Sequence, residues 1–188
     1  DEFPRAIYLR DSLALEEAKV SNTSAAYANF QSTYPNSDFS GEAENLYMLS
    51  RYNELTVAGT IDSYEHFLEV EPTNSYRSKA ETILYELVTK PNTIASLELF
   101  LERYQDNIMR DVAWERLYQL SVYEYSAESI NAFAMKYPEY PHLEKLQLDL
   151  SFMDFALLPF ELKGKYGFMD NLGVQVIAPI YQSVSTFK

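Results

Sequence analysis

The chain has 188 residues, of which 47% are hydrophobic and 15% aromatic, so it can bury a core and is not a disordered chain. Its formal charge of −13 argues against nucleic-acid binding, because phosphate contacts require clustered lysine and arginine. It has no cysteine, which excludes disulfides, thiolate metal sites and thiol catalysis. It also has no apolar run long enough to span a membrane.

Residues 4–20 predict a first helix, and Pro4 suits its first turn. Its apolar residues recur at helical spacing and form one face: Ala6, Leu9, Leu13 and Val20. We interpret this helix as the second half of a helical hairpin. As a terminal repeat, it could cap the array.

A pattern centred on phenylalanine then occurs four times. The central residues are Phe30, Phe67, Phe100 and Phe133, at spacings of 37, 33 and 33 residues. A fixed period in this range predicts a solenoid of helical hairpins.

Each copy begins with a short helix that carries its own start and stop signals. The predicted N-caps are Thr23, Thr60, Thr93 and Ser126, and the first three follow Asn22, Gly59 and Asn92, which tolerate a left-handed backbone. No Glu or Gln stands three residues after any cap, so we expect simple caps without a reciprocal capping box. The helix buries the residues three before, at and four after each Phe, and it ends near a Tyr-Pro pair.

A longer helix follows in each copy, and its apolar face includes a small residue thirteen positions after the Phe. That residue is Ala43, Ala80 or Ala113, which allows close helix approach. Leu146 takes the place in the fourth copy, so we expect the last hairpin to pack differently.

Beyond residue 157 the hydrophobic period changes from that of a helix to that of strands. Residues 160–162, 165–169 and 174–177 predict strands, with a turn at 170–173. We therefore expect a helical domain at 1–157 and a β segment at 158–188. Because solenoid ends need capping, we expect the β segment to dock on Leu146, Leu150 and Met153.

The repeat resembles tetratricopeptide-like repeats, of the kind seen in bacterial envelope proteins. The best copy matches at Tyr27, Phe30, Tyr34, Pro35, Ser37 and Ala43. The resemblance covers about residues 5–155 and lacks the Trp-Leu-Gly elements of the standard consensus. It implies a mainly α, right-handed α-hairpin solenoid that acts as an interaction scaffold, in an exported protein of the periplasm or cell envelope.

The stretch 164–187 is similar to one WG repeat. The matching residues are Gly164, Gly167, Phe168, Asp170, Gly173, Val176, Ile177, Pro179, Tyr181 and Phe187. Tyr166 stands where that family usually has Trp. Such repeats usually occur in tandem, so the resemblance implies that further repeats follow.

Catalytic and metal chemistry find little support in the sequence. His66 and Glu69 have a metal-compatible spacing, with Glu65 beside them, but a metal site needs three or four ligands and His142 is far away in sequence. No nucleophile motif accompanies either histidine. We expect His66 to be a surface residue, and we expect no enzyme activity, metal or cofactor.

Tyrosine is abundant, and eight of the sixteen tyrosines lie at or beside core positions: Tyr27, Tyr34, Tyr47, Tyr64, Tyr85, Tyr104, Tyr118 and Tyr137. We expect these eight and Trp114 to pack in the core. A carbohydrate-binding module that stacks sugars on exposed tyrosines is the alternative function. Regulation of an enzyme domain outside this chain is a third.

The exposed positions of the short helices predict an acidic ridge. Its residues are Asp62, Glu65, Glu69, Glu98, Glu102 and Glu128, and no Lys or Arg occupies an equivalent position. One interpretation is a solvated face that keeps the protein soluble. The other is a binding surface for a basic protein or peptide. We expect a monomer with a protein or peptide partner, and no nucleic acid.

Overall fold

The structure is a computed structural model, and it describes residues 2–153, 157–170 and 172–184. This part of the chain is mainly helical and ends in a small antiparallel sheet. The helices are α1 Glu2–Ser21, α2 Ser24–Thr33, α3 Ser40–Thr56, α4 Ile61–Val70, α5 Arg77–Val88, α6 Ile94–Arg103, α7 Arg110–Ser121, α8 Ala127–Lys136 and α9 Leu143–Met153. The strands are β1 Leu158–Leu162, β2 Lys165–Met169 and β3 Gln175–Tyr181. None of the helices in these ranges is both long and apolar enough to cross a membrane.

The chain forms two compact units, residues 1–113 and 114–188, and the division falls within α7. The predicted change from helix to strand lies elsewhere, between the end of α9 at Met153 and the start of β1 at Leu158.

In the first unit each helix packs on the next, from α1 to α6. The predicted core positions at each Phe and three residues before it are buried, with Phe67 and Phe100 fully inaccessible to solvent, and the positions four residues after each central Phe of this unit are half-buried. Ala43, Ala80 and Ala113 are also fully buried, as the close approach of neighbouring helices requires. The long helix of the first repeat is the longest of the three, with 17 residues in α3 against 12 in α5 and 12 in α7.

The short helices begin at the predicted caps, but the prediction of simple caps is wrong in three copies. Thr60, Thr93 and Ser126 each accept a hydrogen bond from the backbone of a serine three residues later, and that serine's side chain bonds back to the cap. The serine hydroxyl therefore does what Glu or Gln does in the usual capping box. Thr23 has the simple cap, because Ala26 offers no side-chain hydroxyl.

The residues directly ahead of the first three caps adopt the left-handed backbone that the sequence predicted. Asn22, Gly59 and Asn92 have φ values of 47°, 63° and 51°. Asn22 directly follows the end of α1, whereas α3 and α5 end three and four residues before Gly59 and Asn92, at Thr56 and Val88. The left-handed residue therefore turns the chain immediately ahead of the cap, and only in the first copy does it also end the helix.

Helix α1 does not bury the predicted face. Leu9, Leu13 and Val20 are 51%, 71% and 89% exposed, whereas Leu15 and Ala18 are buried. The buried pair packs in one cluster with α2 side chains, so contact with α2 decides which face is covered. Helix α1 therefore carries apolar side chains on two opposite faces.

The second unit is built on a cluster of aromatic rings. Tyr140 lies within 5.9 Å of Trp114, Tyr118 and Phe133, measured between ring centroids. Trp114 is buried, in agreement with its predicted packing role. Helix α8 packs on α9 beside this cluster.

The three strands form an antiparallel sheet in the order β1-β2-β3. In the turn between β2 and β3, the Asp170 carboxylate accepts hydrogen bonds from the backbone N–H groups of Leu172 and Val174. Gly167 in β2 lies so close to β3 that a Cβ atom would stand 2.6 Å from the Ile177 carbonyl oxygen. The predicted strands are confirmed, and the chain turns between Asp170 and Gly173 as predicted. Asn171 of the predicted turn and Phe187 lie outside the described residues.

The expected docking of the sheet on α9 has no support in the described residues. The strands pack on one another, and their apolar side chains remain largely exposed: Leu158, Leu162, Val176 and Ile180. In α9, Leu146 is buried and Leu150 half-buried, and the Met153 side chain lies outside the description.

Candidate functional site

The second and third repeats place the predicted acidic residues on the outer side of the short helices. Thr60 and Thr93 start α4 and α6 in the same register, so the residues between the core positions face outward. Asp62, Glu69 and Glu102 are exposed, and Glu65 and Glu98 are half-buried. These five of the six predicted residues lie in the first unit. Glu128 is exposed on α8 in the second unit.

Glu65 is not a freely solvated carboxylate. Arg103 donates to it at 2.8 Å, and the Tyr104 hydroxyl donates to it at 2.7 Å. The Tyr104 ring packs on Phe100, with centroids 5.2 Å apart, and this fixes the hydroxyl. Residues at the end of α6 therefore fix the position of an acidic side chain on α4. The sequence pattern missed this pair because Arg103 lies one position outside the predicted ridge.

Burial raises the pKa of Tyr104 to about 12, and the hydrogen bond to Glu65 adds to the effect. Both causes favour the neutral phenol, since a phenolate beside the carboxylate would be repelled. The hydroxyl thus remains a hydrogen-bond donor to Glu65 at neutral pH.

Beside this contact lies a cleft of about 370 Å³, lined by α4, α5 and the segment that follows α6. Leu68 and Leu84 give it apolar lining. Glu69 and Asp106 also line it, and both side chains are exposed. The cleft thus combines an apolar surface with two carboxylates that face water.

A second ion pair lies on the wall of the cleft. Arg77 donates to Glu81 at 2.9 Å, and Glu81 is only 3% exposed. Arg77 also donates to the Leu68 carbonyl oxygen at 3.3 Å, near the C-terminal end of α4, where helix carbonyls lack partners. Arg110 makes the equivalent bond to Leu101 in the next repeat.

The charges of the cleft do not balance. Arg103 and Arg77 neutralise Glu65 and Glu81, while Glu69 and Asp106 remain as additional negative charges on the lining. The site can therefore accept hydrogen bonds from a cation, and it has few positive groups that an anion could use.

Two buried asparagines, of which Asn107 lines the cleft, were not found from the sequence. Asn74 and Asn107 are buried, and each donates at 3.1 Å to a carbonyl oxygen of the preceding long helix, that of Met48 or Glu81. Each also accepts a hydrogen bond from the backbone two residues ahead. The sequence does contain a signal for them, because an asparagine stands seven residues after both Phe67 and Phe100.

A further network links the first two repeats. Arg51 on α3 pairs with Glu71 at 2.6 Å, and Glu71 stands where other copies have the second core tyrosine. Glu54 accepts hydrogen bonds from the Ser24 hydroxyl and backbone N–H. The hydroxyl's hydrogen bond is the larger cause that lowers the pKa of Glu54.

The structure gives His66 an exposed position on α4. Among the residues that the structure describes, no group of three or more His, Cys, Asp or Glu side chains is arranged to hold a metal ion. The eight tyrosines assigned to the core are all buried or half-buried. Tyr123 and Tyr125, by contrast, are exposed in the turn between α7 and α8.

Comparison with known proteins gives no assignment: no protein-family model matches the chain, and no curated protein matches its sequence.

Proposed function

We propose that this chain is a non-catalytic scaffold that binds a partner protein through a basic peptide segment. The observation that carries the proposal is the cleft of the second and third repeats. Its own arginines are engaged by Glu65 and Glu81, whereas Glu69 and Asp106 add negative charge beside Leu68 and Leu84.

A lysine or arginine side chain matches such a surface at both ends. Its aliphatic stem covers apolar side chains while the charged head stays near water and carboxylates. In the proposed complex the stem lies on Leu68 and Leu84, and the head group lies between Glu69 and Asp106. The formal charge of −13 would attract a basic segment and speed the encounter.

We also propose that the hairpins continue as a right-handed, tetratricopeptide-like solenoid, followed by a WG-type β region, in an exported envelope protein that is a monomer. The order of packing from α1 to α6 and the repeated Phe pattern support the solenoid. The strand–turn–strand arrangement around Gly167 and Asp170 supports the β assignment. The location rests on the sequence resemblance.

The binding proposal is tested with a short peptide of alternating arginine and serine, titrated by calorimetry at low and physiological salt. Replacing both cleft acids, Glu69→Lys with Asp106→Lys, should weaken binding by more than about tenfold. The matched control is Glu86→Lys with Glu139→Lys, which changes the net charge equally at exposed acids outside the cleft lining.

Two results would contradict the proposal. Equal losses in the cleft variant and the control would mean that only the overall charge attracts the peptide. Equal binding of a peptide that carries citrulline in place of arginine would mean that the positive charge is not recognised.

A further inference from the structure

The cleft of the second and third repeats holds a guanidinium group of the chain itself, that of Arg103. Its Nη2 atom lies 2.8 Å from one carboxylate oxygen of Glu65 and 3.0 Å from the other. Its Cζ atom lies 5.6 Å from the centroid of the Tyr104 ring, close enough for a cation–π contact. A carboxylate and an aromatic face are the two groups that recognise an arginine side chain best, and here both serve the same guanidinium.

The Glu65 carboxylate has a second support that does not involve Arg103. The Tyr104 hydroxyl donates to it at 2.7 Å. The Tyr104 ring is fixed by packing on Phe100, and the Tyr104 backbone N–H bonds to the Phe100 carbonyl oxygen at 3.0 Å. If Arg103 moved away, the carboxylate would therefore keep its orientation, and a preorganised acceptor costs a ligand little to bind.

Arg103 is held less firmly than Arg77, the other arginine of the cleft. The Arg103 side chain is 55% exposed, and exposed ion pairs contribute little to stability. Arg77 donates to the Leu68 carbonyl oxygen and to Glu81, which is only 3% exposed, so its loss would leave a buried charge without a partner. Arg103 can thus leave its site without comparable damage to the fold.

We propose that Glu65 and Tyr104 form an arginine-binding subsite of the cleft, which Arg103 occupies in the free protein until an arginine of the partner replaces it. Arg103 contacts Glu65 through a single nitrogen, whereas an arginine that approaches freely can form two parallel hydrogen bonds. Lysine is a point charge without this planar fork, so the subsite favours arginine. The inference rests on the proposed binding of a basic segment and adds which side chain that segment carries.

The first arm of the test uses a small probe without any peptide. Nα-acetylarginine amide is titrated into Arg103→Ala, and the resonances of the Tyr104 ring are followed by NMR. We expect saturable shifts, a weaker response to Nα-acetyllysine amide, and a smaller effect in the parent chain, where Arg103 competes. Glu65→Gln in the Arg103→Ala background should remove the response. The absence of saturable shifts, or an equal response to the lysine probe, would overturn the proposal.

The second arm measures binding of the alternating arginine and serine peptide by calorimetry. Arg103→Ala should bind it about two- to fivefold more tightly than Lys90→Ala, because the internal competitor is gone. Lys90→Ala is the matched control, since Lys90 is exposed outside the cleft lining and its removal changes the net charge equally. Equal affinities of the two variants would overturn the exchange. Saturable shifts in the first arm without peptide binding by any variant would support the subsite and refute only the basic-segment proposal.

Discussion

The two middle repeats and the fourth repeat differ in the residue that occupies one buried position of the hairpin. Seven residues after the central Phe, the two middle repeats place Asn74 and Asn107, and the fourth places Tyr140. The asparagines tie the loop to the preceding long helix through a carbonyl oxygen. Tyr140 instead packs its ring against Trp114, in the T-shaped arrangement that aromatic pairs favour.

The difference shows that the hairpin does not require the polar bonds of an asparagine at this position. Tyr140 is 1% exposed, and its hydroxyl has no hydrogen-bond partner among the described residues. An unpaired buried hydroxyl costs free energy, and the contacts of the ring must offset that cost. In the middle repeats both ends of the asparagine amide are satisfied.

The central phenylalanine is common to both regions, and its removal should be the largest effect. Phe100 is fully buried, so Phe100→Ala should lower the free energy of unfolding by about 3–5 kcal/mol. Phe133→Ala should fall in the same range, because Phe133 is 3% exposed. Urea unfolding measures both. A loss below about 1 kcal/mol for either would mean that the cavity collapses and that the residue is not central.

Asn107→Ala tests how much the asparagine hydrogen bonds stabilise the middle repeats. We expect a loss of about 1–3 kcal/mol, since the change removes two hydrogen bonds and leaves the partly buried backbone N–H of Met109 and the buried carbonyl oxygen of Glu81 without their partner. Gln105→Ala is the control, because Gln105 is exposed in the same segment. Equal stabilities of the two variants would show that Asn107 fills space only.

The capping boxes allow a smaller test within the first unit. Thr93→Ala should cost about 1 kcal/mol, as expected for a lost N-cap. Ser96→Ala should also destabilise, because the Ser96 hydroxyl accepts from the Thr93 backbone N–H at 3.1 Å. Thr23→Ala serves as the reference, since that cap lacks the second bond. If Ser96→Ala left the urea midpoint unchanged, the reciprocal bond would contribute nothing to stability.

The smallest effect is expected for Tyr140→Phe at neutral pH. The hydroxyl makes no hydrogen bond within the part of the chain that the structure describes, so its removal should leave the free energy of unfolding unchanged or raise it slightly. A clear loss of stability would show that the hydroxyl has a partner in solution, and it would weaken the contrast with Asn107.

Alkaline pH should enlarge the effect of Tyr140→Phe. Burial raises the pKa of Tyr140 to about 12, from its ordinary value of 10.0. The folded protein therefore holds this proton more tightly than the unfolded chain does. The contribution of the protonated Tyr140 hydroxyl to the free energy of unfolding is intact below pH 10.0 and is lost as the pH rises towards about 12. Tyr140→Phe should lose less stability than the parent chain over this interval.

The sequence predicted the helices, their caps, the core phenylalanines and the strands, because these features depend on local spacing. It failed where a contact between elements decided the outcome. The buried side of α1 depends on where α2 packs, and both sides of α1 are apolar. The serine capping boxes do not fit the usual sequence signature, which has Glu or Gln three residues after the cap.

The same distinction applies to the candidate site. The acidic positions of the short helices follow from helical periodicity, and the structure places Asp62, Glu69 and Glu102 in solvent as that periodicity requires. The pairing of Glu65 with Arg103 joins residues 38 positions apart. No local pattern contains that contact, so the neutralisation of this part of the ridge required the structure.

The additional length of α3 bears on how the chain connects each long helix to the next repeat. Ala43 and Thr60 are 17 residues apart, whereas Ala80 and Thr93 are 13 residues apart. The helix accounts for more than this difference, since α3 has 17 residues and α5 has 12, while the connection to the next cap is one residue shorter after α3. Five added residues turn a helix by one revolution and about 140° more, so the last residues of α3 and of α5 face different directions. The connections after these two helices must therefore redirect the chain differently before Thr60 and Thr93 start α4 and α6.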